Sequence, residues 1–231
     1  MLNGYNDFIT ELLAAGFSMG GGADEGVFAV VPFSWDERPP FPTRVRWHTG
    51  DPDTDPWEWR MRVLRERDDV AYAKLFFKKS GYVTRRWYPH FLAARRRGRT
   101  FEDAYNDGNI SRLAKRVYSV IREGGEVSAH ELRPRGGFSK EEKPQVNRAV
   151  LELQMGLYVT ICGGQQKTAR TGEGYGWNSS VFCTAERFWG EAVFDEAASL
   201  DPAEAASEIR AQIERLNPSA DAKKVKKFIT G

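Results

Sequence analysis

Residues 123–162, "EGGEVSAHELRPRGGFSKEEKPQVNRAVLELQMGLYVTIC", decide how the chain is read. Ser128 followed by Glu131 has the capping-box spacing that starts a short helix, "AHEL", and "RPRGG" breaks it. A longer helix, from Ser139 or Pro144 to Met155, turns Val146, Ala149, Val150 and Leu153 to one side and stops at Gly156. "LYVTIC" then alternates as a strand does, and "WNSSVFCT" (177–184) is its return strand beyond the polar turn "GGQQKTARTGEGYG". Upstream, "SRLAKRVYSVIREGG" places Leu113, Val117, Val120 and Ile121 on one helical stripe that ends at Gly124. Three helices followed by a two-stranded hairpin is the order of a winged helix-turn-helix.

Working outward, the expected fold is α+β: a small mixed N-terminal subdomain at 1–107, the winged helix at 108–190 and a helical segment at 191–231. In the first, Asn6 or Asp7 caps "DFITELLAA", closed by Gly16, and "VFAVVPF" (27–33) reads as an apolar strand. "RPPFPT" is an extended connector. Asp55, Pro56 and Glu58 open a helix with a cap, a first-turn proline and an acid three residues on. "VAYAKLFF" (70–77) has strand composition, "KKSG" a turn before "YVT", and Thr84 precedes a helix through "WYPHFLAARRRG" ended by Gly98. Thr100 and Asp103 cap a short turn. Past Thr184 come "AERFWGEAVFDEAASL", then a helix capped by Asp201, Pro202 and Glu204, then a Lys-rich tail.

The chain has 231 residues, 41% hydrophobic and 29% charged, enough to bury a real core. No apolar run approaches the roughly 20 residues of a membrane helix. With no secretory n-region and two cysteines, Cys162 and Cys183, a reducing cytoplasm is the expectation. The cysteines fall on the two hairpin strands, as buried thiols or as a cross-strand pair. The net charge of +2 conceals segregation. Residues 1–59 hold three Arg against ten acids, residues 60–148 hold 22 Lys and Arg against 11 acids, and residues 185–217 hold three against eight. A basic block inside a nearly neutral protein binds a polyanion if it is exposed, and is neutralised if the acidic blocks fold over it.

In a winged helix the third helix enters the major groove. Its solvent face here offers Lys140, Lys143, Gln145, Asn147, Arg148 and Glu152. Gln and Asn pair with adenine, Arg with guanine, and Lys neutralises phosphate. The wing adds Lys167 and Arg170. A second basic block, "KKSGYVTRRWYPHFLAARRRGR", carries Arg85, Arg86, Arg95 and Arg96 among aromatics. Such interleaving suits stacking on unpaired bases, although the aromatics also read as core and the Arg run as an exposed helix end. The expected partner is therefore duplex DNA.

The order "VYSVIREGGEVSAHEL…NRAVLELQMGLYVTICG…VFCT" resembles the central winged helix of the AlkZ/YcaQ-type DNA glycosylases. "AYAKLFFKKSGYVTRRWYPHF" is similar to that family's strand, short apolar turn and aromatic-Pro helix start. The resemblance covers about residues 57–190 and implies tandem winged helices folded around damaged DNA, in alkylation or crosslink repair. The family's catalytic signature is an N-terminal Gln-x-Gln or Gln-x-Asp that positions the attacking water. This chain has no glutamine before Gln145, and Gln145-x-Asn147 lies on the expected recognition helix, so no catalytic residue is carried over.

Other chemistry is sparse. His48, His90 and His130 are far apart in sequence, so no metal site is expected. "DPDTDP" lacks the later glycine and glutamate of a calcium loop, and "GEGYG" opens no helix, so no cofactor is expected. Asp51, Asp53, Asp55 and Glu58 are the carboxylates able to activate water, against their simpler role as caps. Three readings remain: a DNA-binding relative of the glycosylases without the standard catalytic pair, an active glycosylase using those carboxylates, and a protein-interaction module.

Overall fold

The computed structural model describes residues 2–32, 38–168 and 174–231. Helix α1 (Tyr5–Ala15) buries Tyr5, Phe8, Ile9 and Leu12 at helical spacing and ends at Gly16, φ 91°. Only glycine fits that position, because the backbone is left-handed and a Cβ would stand 2.0 Å from the Trp87 indole. Strand β1 (Phe17–Met19) follows. Helix α2 (Pro56–Glu66) begins at Asp55, whose carboxylate accepts from Trp57 N at 2.8 Å. β2 (Val70–Phe76) and β3 (Lys79–Thr84) form a hairpin whose turn residues, Phe77 and Lys78, have φ of 50° and 63°. Left-handed residues give a tight hairpin the twist its strands need.

Helices α3 (Tyr88–Arg96) and α4 (Phe101–Asn106) come next, the second with the full Thr100–Asp103 capping box. Ser111 caps α5 (Arg112–Gly124), β4 (Val127–Ser128) leads into α6 (Ala129–Arg135), and α7 (Lys143–Met155) buries the expected Val146, Ala149, Val150 and Leu153. The Ser128 hydroxyl donates to the Glu131 carboxylate at 2.8 Å instead of capping an amide. β5 (Val159–Thr168) and β6 (Gly174–Thr184) make the second hairpin. It is longer than the sequence suggests, because pairing runs on to Lys167↔Tyr175 and Thr168↔Gly174. The C-terminal part is α8 (Ala185–Trp189), α9 (Glu191–Ser199), α10 (Pro202–Leu216) and α11 (Ala222–Thr230).

Six antiparallel strands form one sheet in the order β1-β3-β2-β5-β6-β4. The two hairpins meet at a single register pair, Tyr72↔Ile161. Beside it the buried Gln154 accepts from Lys74 N at 2.9 Å, so α7 is tied to the strand where the ladder stops. β2 alternates between two cores. Val70 and Tyr72 join α1, α2, α5, α6 and α7, whereas Ala71, Ala73 and Leu75 join α3, α9, α10 and α11. Trp59 and Phe8 stack at 5.1 Å in the first core, and Phe76 and Phe228 at 3.7 Å in the second. Each such side chain contributes about 2–3 kcal/mol by leaving water.

Several local expectations change. Helix α1 starts at Tyr5 with Gly4 at its N-cap, so Asn6 and Asp7 lie inside the helix rather than capping it. Residues 27–32 of the expected apolar strand form no strand, although Val27, Val30 and Val31 are buried; Val30 N bonds to the Ser18 hydroxyl at 2.9 Å instead of to a ladder. The helix after Thr184 breaks at Gly190, φ 72°, into α8 and α9. α3 starts at Tyr88, beyond Thr84, whose hydroxyl is buried without a partner.

Candidate nucleic-acid interface

A groove of about 710 Å³ lies between α6, α7 and the β5–β6 hairpin. Ile161 and Phe182 form its apolar floor, with Ser179 and Ser180 beside them. α7 contributes Lys143 and Asn147, α6 contributes His130 and Arg133, Lys140 stands between the two helices, and Lys74 reaches in from β2. Among the described residues that line it, four are cations and none is Asp or Glu. Four cations against no lining acid concentrate positive charge on one concave surface, with Glu141 close enough to Arg133 for their charges to interact. His130 is held with Nε2 3.3 Å from the Ser128 hydroxyl, and its Nδ1 is buried without a partner.

Of the sequence-derived set, Lys140, Lys143 and Asn147 come together here. Gln145 and Arg148 are exposed on the opposite side of α7. The Gln145 amide nitrogen folds back to 3.1 Å from the Glu141 and Glu142 carbonyls. Glu152 shares that side and is structural: its carboxylate accepts from Ser111 N at 2.7 Å and from the Ser111 hydroxyl at 2.8 Å, clamping the start of α5 to α7. Lys167 lies in β5, with its backbone paired to Tyr175, while Arg170 falls outside the described residues.

The second basic block does not join the groove. Arg85 pairs with Glu196 at 2.8 Å, and Arg86 is exposed beside His90, Glu208, Glu214 and Arg215. Arg95 and Arg96 are corrections to the binding set. Arg95 donates to the carbonyls of Leu75, Met155, Phe228 and Ile229 at 2.8–2.9 Å. Burial pushes its pKa down to about 10, which leaves it cationic at neutral pH. The Arg96 side chain is 9% exposed, paired with Glu186 at 3.0 Å and bonded to the carbonyls of Gly156 and Leu157. The physical reason is that α7 and α11 end here, and a helix end leaves carbonyls that need donors. A guanidinium fork supplies several at once.

Of the N-terminal carboxylates, Asp51, Asp53 and Asp55 are occupied in local structure, while Glu58 stands half-buried in the first turn of α2. Asp55 is fully buried and accepts from the amides of His48 at 3.0 Å and of Gly50 and Trp57 at 2.8 Å. Asp51 accepts from Asp53 N and the Thr54 hydroxyl, whose bonds hold its carboxyl below the usual range. Asp53 pairs with Arg62 at 2.9 Å. At the root of the hairpin Cys162 and Cys183 are free thiols. Cys162 Sγ donates to the Val181 carbonyl at 3.5 Å, and the neighbouring Cys162 together with burial raises the Cys183 thiol.

Sequence reasoning missed Lys74, His130, Arg133, Ser179 and Ser180. One signal was present: Lys74 is the exposed position in an otherwise buried strand, and a lone cation in an apolar strand of both-face burial marks an opening in one layer. No helix among the described residues is long and apolar enough to cross a membrane.

No curated protein matches the sequence. Among solved structures, the DNA glycosylase AlkZ of Streptomyces sahachiroi matches at 13% identity with a TM-score of 0.39, over 76% of this chain and 50% of that one. The chain thus spans about half the length of that protein. A model of the AlkZ-related family matches residues 2–230, and the chain belongs to that family.

Proposed function

We propose that this AlkZ-related protein binds duplex DNA through the α6–α7–hairpin groove, as a relative of the repair glycosylases that lacks their standard catalytic pair. In this reading residues 108–190 act as a winged helix, with β4 joining the hairpin at its edge. Helices α1 and α2 pack on the first face of the sheet, and α3 joins residues 191–231 on the second. The observation that carries the proposal is the acid-free groove with Lys74, Arg133, Lys140 and Lys143. In this reading Asn147, which lines the groove one helical turn beyond Lys143, reads an adenine edge once phosphates fix the register. Catalysis by Asp51, Asp53 or Asp55 has no geometric support, because their oxygens already cap, latch or pair.

Fluorescence anisotropy with intact and alkylated duplexes over a salt series tests the reading. Four neutralised phosphates give a log–log slope of about −3.6. Charge reversal at Lys140 and Lys143 together is expected to reduce the slope by about 2 and to weaken both duplexes alike. A salt-independent response, or parental affinity in that double variant, overturns the assignment. Free base released from the alkylated duplex would make the protein an enzyme that works without the standard pair.

A further inference from the structure

The loop before α2 carries an aromatic surface that the proposed function does not use. Among the described residues the exposed large apolar side chains are Leu13, Phe41 and Trp57, the last 37% exposed. Phe41 and Trp57 each carry an arginine over the ring, Arg46 Cζ at 3.5 Å and Arg60 Cζ at 3.3 Å from the centroids. The His48 ring lies against Trp57, with centroids 5.0 Å apart.

This surface is built rather than incidental. Arg60 Nε donates to the Trp57 carbonyl at 2.6 Å, which fixes the guanidinium over the indole. The buried Asp55 carboxylate accepts from His48 N and Trp57 N together, so one group sets the backbones that present both rings. His48 is held at φ 63°, a left-handed conformation that a residue with a side chain keeps only where its surroundings enforce it. Helix α2, which carries Trp57 and Arg60, packs on the hairpin that borders the groove. Met61, one turn along α2 from Trp57, packs over Gly164 so closely that a Cβ there would lie 3.1 Å from its sulfur. Gly164 pairs with Ser180, and Ser180 lines the groove.

We propose that Trp57, Arg60 and His48 form a stacking platform for an unpaired nucleobase, on a strand whose phosphates lie in the cationic groove. The inference rests on the nucleic-acid reading above. An indole backed by a guanidinium offers a flat, cationic π surface that accepts any base. This surface takes the base and leaves the backbone to the groove, whose four lining cations attract phosphate.

The test uses the full chain and a 12-nucleotide single strand carrying 2-aminopurine, whose fluorescence is quenched by stacking, beside a duplex of the same sequence. The parent protein is expected to quench the probe. Trp57→Ala should bind the single strand about tenfold more weakly, without quenching, while duplex affinity stays within about twofold. Trp57→Phe should restore most of the single-strand affinity, and a parental melting profile for Trp57→Phe and Arg60→Gln keeps the comparison valid if Trp57→Ala fails to fold. Arg60→Gln should weaken quenching in the same direction. Parental affinity and quenching in Trp57→Ala and Arg60→Gln overturn the platform and leave the groove standing. Parent protein that binds duplex but no single strand has the same meaning. A parent that binds neither overturns the groove and the platform together.

Discussion

Arg95 and Arg96 are neighbours in a basic run, yet they close the core rather than face a polyanion. Arg95 sits one further turn along the stripe of Tyr88, Phe91 and Leu92, all buried, so its position on the inner face of α3 was legible from helical spacing. Its four carbonyl partners were not, because Phe228 and Ile229 are 133 and 134 residues away. Replacing it with Met leaves those carbonyls without a donor. We expect Arg95→Met to lose about 3 kcal/mol in urea unfolding, with DNA affinity of the folded protein unchanged. Arg95→Lys should recover little, since one ammonium cannot reach carbonyls on three elements. Equal stability of Arg95→Met and the parent would refute the staple. Asp55 teaches the same lesson at the other end of the chain. Its spacing to Pro56 and Glu58 announced a cap, and the structure adds the His48 and Gly50 amides, which a local reading does not reach.

At the scale of the element, α7 was legible in extent and in its buried face, but not in which exposed flank matters. The buried stripe of Val146, Ala149, Val150 and Leu153 leaves a wide solvent arc. Lys143 and Asn147 fall on the flank that meets α6 and the hairpin, while Gln145, Arg148 and Glu152 fall on the other. The two flanks have similar compositions, so only the packing of α6 and β6 distinguishes them. Charge reversal at Lys143 should therefore weaken duplex binding by about tenfold, the cost of about 1.4 kcal/mol at one phosphate, and Arg148→Glu by less than about twofold. Titrations of the two single variants at one salt concentration decide this, and equal losses would refute the flank assignment. Glu152→Gln is expected to destabilise by about 1 kcal/mol, because it weakens charge-assisted bonds to Ser111 without emptying the site.

For the whole molecule, one sheet crosses from the N-terminal hairpin to the second through Tyr72↔Ile161, and helices from both ends of the chain cover its faces. α11 is part of the second core: Val225, Phe228 and Ile229 are buried, and the Phe228 ring stacks on Phe76. Phe228→Ala should cost about 3–5 kcal/mol and lower Tm by about 10 °C. Circular dichroism and tryptophan fluorescence should report one shared transition. A tail that melts first, leaving the rest at parental Tm, would show that α11 is an accessory. The charge blocks divide in a way that their net values conceal. Of the 22 cations of 60–148, four line the groove and Arg95 and Arg96 staple carbonyls, with Arg85 and Arg96 answered by Glu196 and Glu186 of the acidic block.

What the sequence determined by itself was local: the three helices and the hairpin between Ser111 and Thr184, the caps at Asp55, Thr100 and Asp201, and the inward faces of α5 and α7. These follow from interactions within a helical turn or between neighbouring strands, which spacing records directly. Only the tertiary structure decided which cations line the groove, that residues 27–32 pack without forming a strand, and that Met61 of α2 packs on the hairpin. Each depends on which distant segments meet. Such meetings are set by the competition among many apolar faces for one another, and sequence spacing carries no record of the winner.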